Sequence, residues 1–161
     1  MFKCSIMKGF GFGLASGIIT TLGLMVGLNS STHSYKVVVG GILVIAIADA
    51  FSDALGIHIS EEAENKHTTK EIWEATIGTF VSKFIFSAMF IVPVLLFSLK
   101  TAIIVSIVWG LFLIGLFSFY MAYQQKTKHY EVVGEHLGIA ILVIIITHYV
   151  GVWVSSFSNH I

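Results

Sequence analysis

The chain has 161 residues, 56% of them hydrophobic and 11% charged, with a formal net charge of +0. A soluble domain carries about 25% charged residues, so this composition points to an all-α, polytopic integral membrane protein and a single five-span membrane domain over residues 1–161. The neutral balance leaves no basic surface for nucleic acid. All nine strong bases are lysine, which argues against a bidentate grip on phosphate, and Cys4, alone, makes neither an internal disulfide nor a thiolate metal site.

Five apolar runs are long enough to cross a bilayer. They are expected at about 9–28, 37–59, 76–99, 101–123 and 134–157. The first follows Lys3 and Lys8 and reads as a membrane span rather than a removed signal segment. Gly9, Gly13 and Gly17 share one face of it, and Gly23 and Gly27 repeat the spacing. Such small-residue stripes serve internal helix packing or a dimer interface. A short polar connection, Asn29 to Lys36, follows.

The second run carries Asp49 and Asp53, after a stretch from Val37 to Ala48 with no charge. A spacing of four puts both carboxylates on one helix face. Each intramembrane charge costs roughly 2.5–3.5 kcal/mol on insertion scales, so a compensating gain is expected. A cation, a proton or a basic partner supplies it. Extending the helix places Ser60 and Glu64 near the azimuth of Asp53, which makes a polar stripe from mid-membrane to the edge. His58 points about 140° away at ~100° per residue and serves another surface.

The connection from Ser60 to Ala75 is the most charged stretch, with Glu61, Glu62, Glu64, Glu71, Glu74 and His67. It reads either as a solvated turn or as an acidic funnel that concentrates cations. Trp73 is an expected interfacial anchor. In the third run Lys83 lies about two turns beyond Thr76, at the depth of Asp53. A purely structural Asp53–Lys83 ion pair is the alternative to a transport site. Both hold together if the lysine competes with the cation, which makes Lys83 a coupling candidate. Pro93 is expected to kink this run.

Only Lys100 separates the third and fourth runs, which predicts a tight hairpin. The fourth connection is Gln124 to Glu131. The fifth run carries Glu135 and His136 near its start and His148 near its middle. His148 is either a packing residue or a second coupling candidate, as proton relay or metal ligand. Lys3, Lys8, Lys66, Lys70, Lys126 and Lys128 fall on one side and Lys36 and Lys100 on the other. That bias predicts a cytoplasmic N-terminus and an external or luminal C-terminus. No motif for ATP hydrolysis, proteolysis or redox catalysis is present, so the chain is not read as an enzyme.

Four segments resemble the vacuolar iron transporter family. Ser16 to Gly27 resembles its first span, and Ser52 to Glu62 its second span running into a glutamate-rich segment. Trp73 to Ser82 with Pro93 resembles the start of its third span, and Leu113 to Gly115 the end of its fourth. The chain departs where the family's first-span acidic residue aligns with Ser16, its second-span methionine with Asp53 and its following glutamate with Ile57. The family's large cytoplasmic metal-binding domain is reduced to the Ser60–Ala75 connection.

The resemblance implies transport of a divalent cation, manganese or iron, by an antiporter exchanging it for protons. It implies a homodimer, export from the cytoplasm or into a lumen, and no resident cofactor, the metal being substrate. Asp49, Asp53, Glu61, Glu62 and Glu64 are the candidate metal residues, and hard carboxylate ligands suit manganese or magnesium. The competing reading is a small helical subunit or assembly factor of a larger membrane complex.

Overall fold

A computed structural model describes residues 2–158, with side chains from residue 5 to residue 157. The side chains of Lys3 and Cys4, counted above, lie outside the described residues. Among those residues every regular element is an α-helix: α1 Phe2–Thr32, α2 Tyr35–Ala63, α3 Thr69–Ala88, α4 Ile91–Leu96, α5 Leu99–Gln125 and α6 His129–Ser158. Five helical stretches are long and apolar enough to cross a membrane: Ser5–Thr32, Tyr35–Ala63, Thr69–Leu96, Leu99–Gln125 and His129–Phe157. Four of the five expected spans lie within them, and the third, expected to reach Leu99, ends three residues earlier, at Leu96.

The helices outrun their apolar runs, because backbone hydrogen bonding continues into polar flanks that form helix well. The first connection shrinks to His33 and Ser34, with His33 left-handed at φ 50°. The Ser60–Ala75 connection shrinks to residues 64–68. There a capping box starts α3 early. The Thr68 hydroxyl accepts from the Glu71 N–H, and the Glu71 carboxylate accepts from the Thr68 N–H at 2.9 Å.

Pro93 interrupts its span locally, while Met89 and Phe90 keep right-handed helical dihedrals. It has no N–H for the Met89 carbonyl, and its ring crowds that carbonyl. The chain turns at Met89 and Phe90, between α3 and α4. Phe97 and Ser98 then join α4 to α5, and Lys100 lies inside the first turn of α5.

The chain divides into two compact units, and the division falls within α1 and α2. Unit 1 comprises Met1–Thr21 and Ile42–Met89. In it α1 and α3 run in parallel at very close range. A Cβ on Gly9 would overlap the Ala75 carbonyl, and one on Gly13 would overlap Ser82 Oγ and lie 2.5 Å from the Thr79 carbonyl. One on Gly17 would lie 3.0 Å from the Lys83 carbonyl. The first three glycines of the stripe thus serve packing inside the chain. Without them Ser16 could not stand beside Lys83.

Unit 2 comprises Leu22–Gly41 and Phe90–Ile161. Here Gly23 and Gly27 pack against Thr147 of α6, and a Cβ on Gly151 would overlap the Gly27 carbonyl. Many large apolar side chains face outward, among them Val44 at 65% exposure and Leu96 at 70%. So much outward apolar surface is what a lipid solvent requires of a membrane-spanning chain.

Candidate cation site

Unit 1 gathers four polar side chains from three helices around one buried ammonium. Lys83 of α3 is fully buried. Its ammonium stands 2.6 Å from Asp49 Oδ2 and forms a closer ion pair with Asp53 Oδ2, both carboxylates being on α2. Ser16 of α1 closes the cluster. Its hydroxyl accepts from Lys83 Nζ at 2.9 Å and donates to Asp53 Oδ2 at 2.7 Å. The two carboxylates remain part-exposed, at 29% for Asp49 and 20% for Asp53, whereas the lysine has no exposure at all.

The spacing of four delivers the aspartates to one side of α2, as helix geometry requires. Lys83 reaches both because it sits at their depth on a neighbouring helix. Two carboxylates and one ammonium leave a local excess of negative charge. Removing either sign alone would strand a charge in low dielectric, which is more costly than leaving the pair intact.

A second cluster lies at the end of α2. Glu61 is 2% exposed, pairs with Lys8 of α1, and has Oε2 3.4 Å from His67 Nε2. Glu64 shares both partners, at 3.8 Å from Lys8 and 3.5 Å from His67. The expected stripe therefore continues through Glu61, not Ser60, which is exposed along with Glu62. Periodicity alone missed this because the inward face is set by what approaches it, here Lys8. Among the described residues no three His, Cys, Asp or Glu side chains are grouped so as to hold a metal ion.

The histidines go elsewhere. His58 faces away from Asp53, as its azimuth predicts, hydrogen-bonds Thr76 Oγ1 at 2.9 Å and packs edge-on against Trp73. In unit 2, His148 Nδ1 lies 2.8 Å from Ser30 Oγ and His136 Nδ1 2.7 Å from Ser118 Oγ. Glu135 is exposed. Ser16 enters the sequence reading only as the position aligned with the family's first-span acidic residue, and the structure places it within the site.

Residues 8–74 match the family model described as VIT family. That segment contains α1 from Lys8, all of α2 and the start of α3, and so includes Ser16, Asp49, Asp53 and Glu61. Lys83 lies beyond it. No curated protein and no solved structure matches the chain.

Proposed function

We propose, for a chain whose residues 8–74 match the VIT family model, that Asp49 and Asp53 form the intramembrane way-point of a divalent cation. That likeness supports membrane transport of divalent metal ions, and a transporter rather than an enzyme. The finer reading is our own. Manganese or iron is the substrate, protons move in exchange, and export runs from the cytoplasm or into a lumen. The working unit is a homodimer with the N-terminus cytoplasmic.

The observation that carries this reading is the buried Lys83 ammonium between the two aspartates. It occupies the position from which a cation would be held by both carboxylates. Lys83 therefore acts as the resident counter-charge while no metal is bound. An arriving divalent ion displaces it and takes oxygen ligands from Asp49 and Asp53, with water filling the remaining positions, as hard cations require. Glu61 and Glu64, with exposed Glu62 beside them, form the mouth from which the ion enters. The Lys8 ammonium offsets the charge of that mouth when it is empty, and the His67 ring lies against both carboxylates.

Purified protein in liposomes tests the reading. Manganese or ferrous ion should enter unaided, and collapsing an imposed proton gradient should slow the flux. Liposomes that remain impermeable would support the subunit reading instead. Metal flux indifferent to the proton gradient would remove the exchange step alone.

A further inference from the structure

Unit 2 carries a cavity that the transport reading does not use. It has a volume of about 560 Å³ and lies between the end of α1 and α6, with Ile103 and Ile107 of α5 in its wall. Its polar lining is Asn29, Ser30 and His33 from α1 and the turn after it, and His148 and Tyr149 from α6. Ser30 is 8% exposed, and its hydroxyl stands 2.8 Å from His148 Nδ1. The two helices are held at close range there. A Cβ on Gly151 would lie 2.8 Å from Ser30 Cβ, and one on Gly27 would meet the Thr147 carbonyl at 3.4 Å.

This arrangement prepares an imidazole nitrogen. A metal-binding histidine commonly engages an oxygen with its other ring nitrogen, which fixes the tautomer and the direction of the ring. Donation of Nδ1–H to Ser30 leaves His148 with the Nε2 lone pair to offer. The second ring comes from the same turn of α1 that carries Ser30. His33 is the first residue past the helix, its N–H donates to the Asn29 carbonyl at 3.0 Å, and its left-handed φ of 50° ends the helix. Cβ atoms three residues apart on a helix lie about 5–6 Å from each other, so one ion can reach both rings. The carbonyl end of α1 adds a partial negative charge. Among the described residues no carboxylate lines the cavity, which suits a borderline metal that favours imidazole and not a hard ion that needs carboxylate.

We infer that this cavity binds one divalent cation of the zinc class through His148 Nε2 and the His33 imidazole, with the Asn29 side-chain oxygen and water in the remaining positions. Two protein nitrogens and open positions make an exchangeable site, unlike the closed four-ligand shell of a structural one. The bound ion ties the end of α1 to α6. The site requires neither the Asp49–Asp53 pair nor any transport step, so it stands or falls apart from the reading above.

Calorimetric titration of zinc into the full chain in detergent, with excess manganese present to fill the carboxylate sites, tests this. The unmodified protein should bind one zinc ion per chain at this site. His148→Gln and His33→Asn should each weaken that binding at least about ten-fold, and Ser30→Ala about ten-fold, the loss expected when the oxygen behind a ligating histidine is removed. Asparagine accepts the left-handed conformation at position 33, and His148 is exposed, so both histidine variants should melt with the parent. Zinc binding abolished by manganese in the unmodified protein would overturn the inference without any variant. So would an unchanged zinc affinity in the His33→Asn, His148→Gln double variant, or a loss in only one of the two single variants.

Discussion

The Lys83 ammonium on α3 stands 2.6 Å from Asp49 Oδ2 on α2, at the end of a lysine side chain with no solvent exposure. The same ammonium also pairs with Asp53. One base thus answers two acids inside an apolar helical protein. The arrangement has energetic consequences that do not depend on what is transported.

Removing the base should be costly. Lys83→Met leaves both carboxylates without a basic partner, and breaking a buried pair in this way costs about 3–5 kcal/mol. Thermal unfolding in detergent should therefore start well below that of the unmodified protein. Manganese should raise the unfolding temperature of Lys83→Met more than that of the parent, because it replaces the missing positive charge. The triple variant Lys83→Met, Asp49→Asn, Asp53→Asn should recover much of the lost stability. Equal melting of parent and single variant would show that the lysine contributes nothing to the fold.

The α1–α3 contact admits no side chain at its tightest points. Gly13→Leu should prevent the approach of α1 to α3 and lower stability by several kcal/mol, as overpacking a tight backbone contact does. Gly56→Ala is the control. A Cβ there meets nothing within 4 Å, and exchanging a helical glycine for alanine gains about 1 kcal/mol. Thermal unfolding of the two should move in opposite directions. A well-tolerated Gly13→Leu would contradict the packing described.

The start of α3 rests on its capping box. Thr68→Ala removes the hydroxyl that accepts from the Glu71 N–H, a loss of about 1 kcal/mol. Since α3 carries Lys83, local opening at this end should also increase. Hydrogen exchange at residues 69–72 should accelerate while that at the end of α2 stays unchanged.

Much of this was legible in the sequence because membrane solvation simplifies the code. Apolar runs of about 20 residues had to be helices, and the count of five is the one observed. The Asp53–Lys83 contact followed from matched depth on sequential helices. Helix ends were not legible from hydropathy, since the capping box at Thr68 and the polar tail of α2 are helical without being apolar. The interruption at Met89–Phe90 was signalled by Pro93, which leaves the carbonyl four residues back without its N–H. Ser16 was marked only by the resemblance, at the family's first-span acidic position, and its role could not be read from α1 alone because its partners come from two other helices. Glu61 was named for the mouth, but its burial depends on Lys8, some fifty residues away in sequence.

Orientation is open to direct measurement. Lysine bias puts the turn before α3 on the cytoplasmic side and the Phe97–Ser98 turn opposite. In a Cys4→Ser background, Thr68→Cys should resist an impermeant thiol reagent applied to intact cells, and Ser98→Cys should react. Both positions are exposed, so reversed labelling would place the Glu61 mouth on the other face of the membrane.

The central claim is that the cation passes by Asp53, and initial manganese influx into liposomes carrying equal amounts of correctly inserted unmodified or Asp53→Asn protein measures it. The account predicts steady influx for the unmodified protein, influx at the empty-liposome level for Asp53→Asn, and a reduced rate for Asp49→Asn. An Asp53→Asn rate equal to that of the unmodified protein would contradict it and leave the Asp49–Lys83–Asp53 cluster as a structural ion pair.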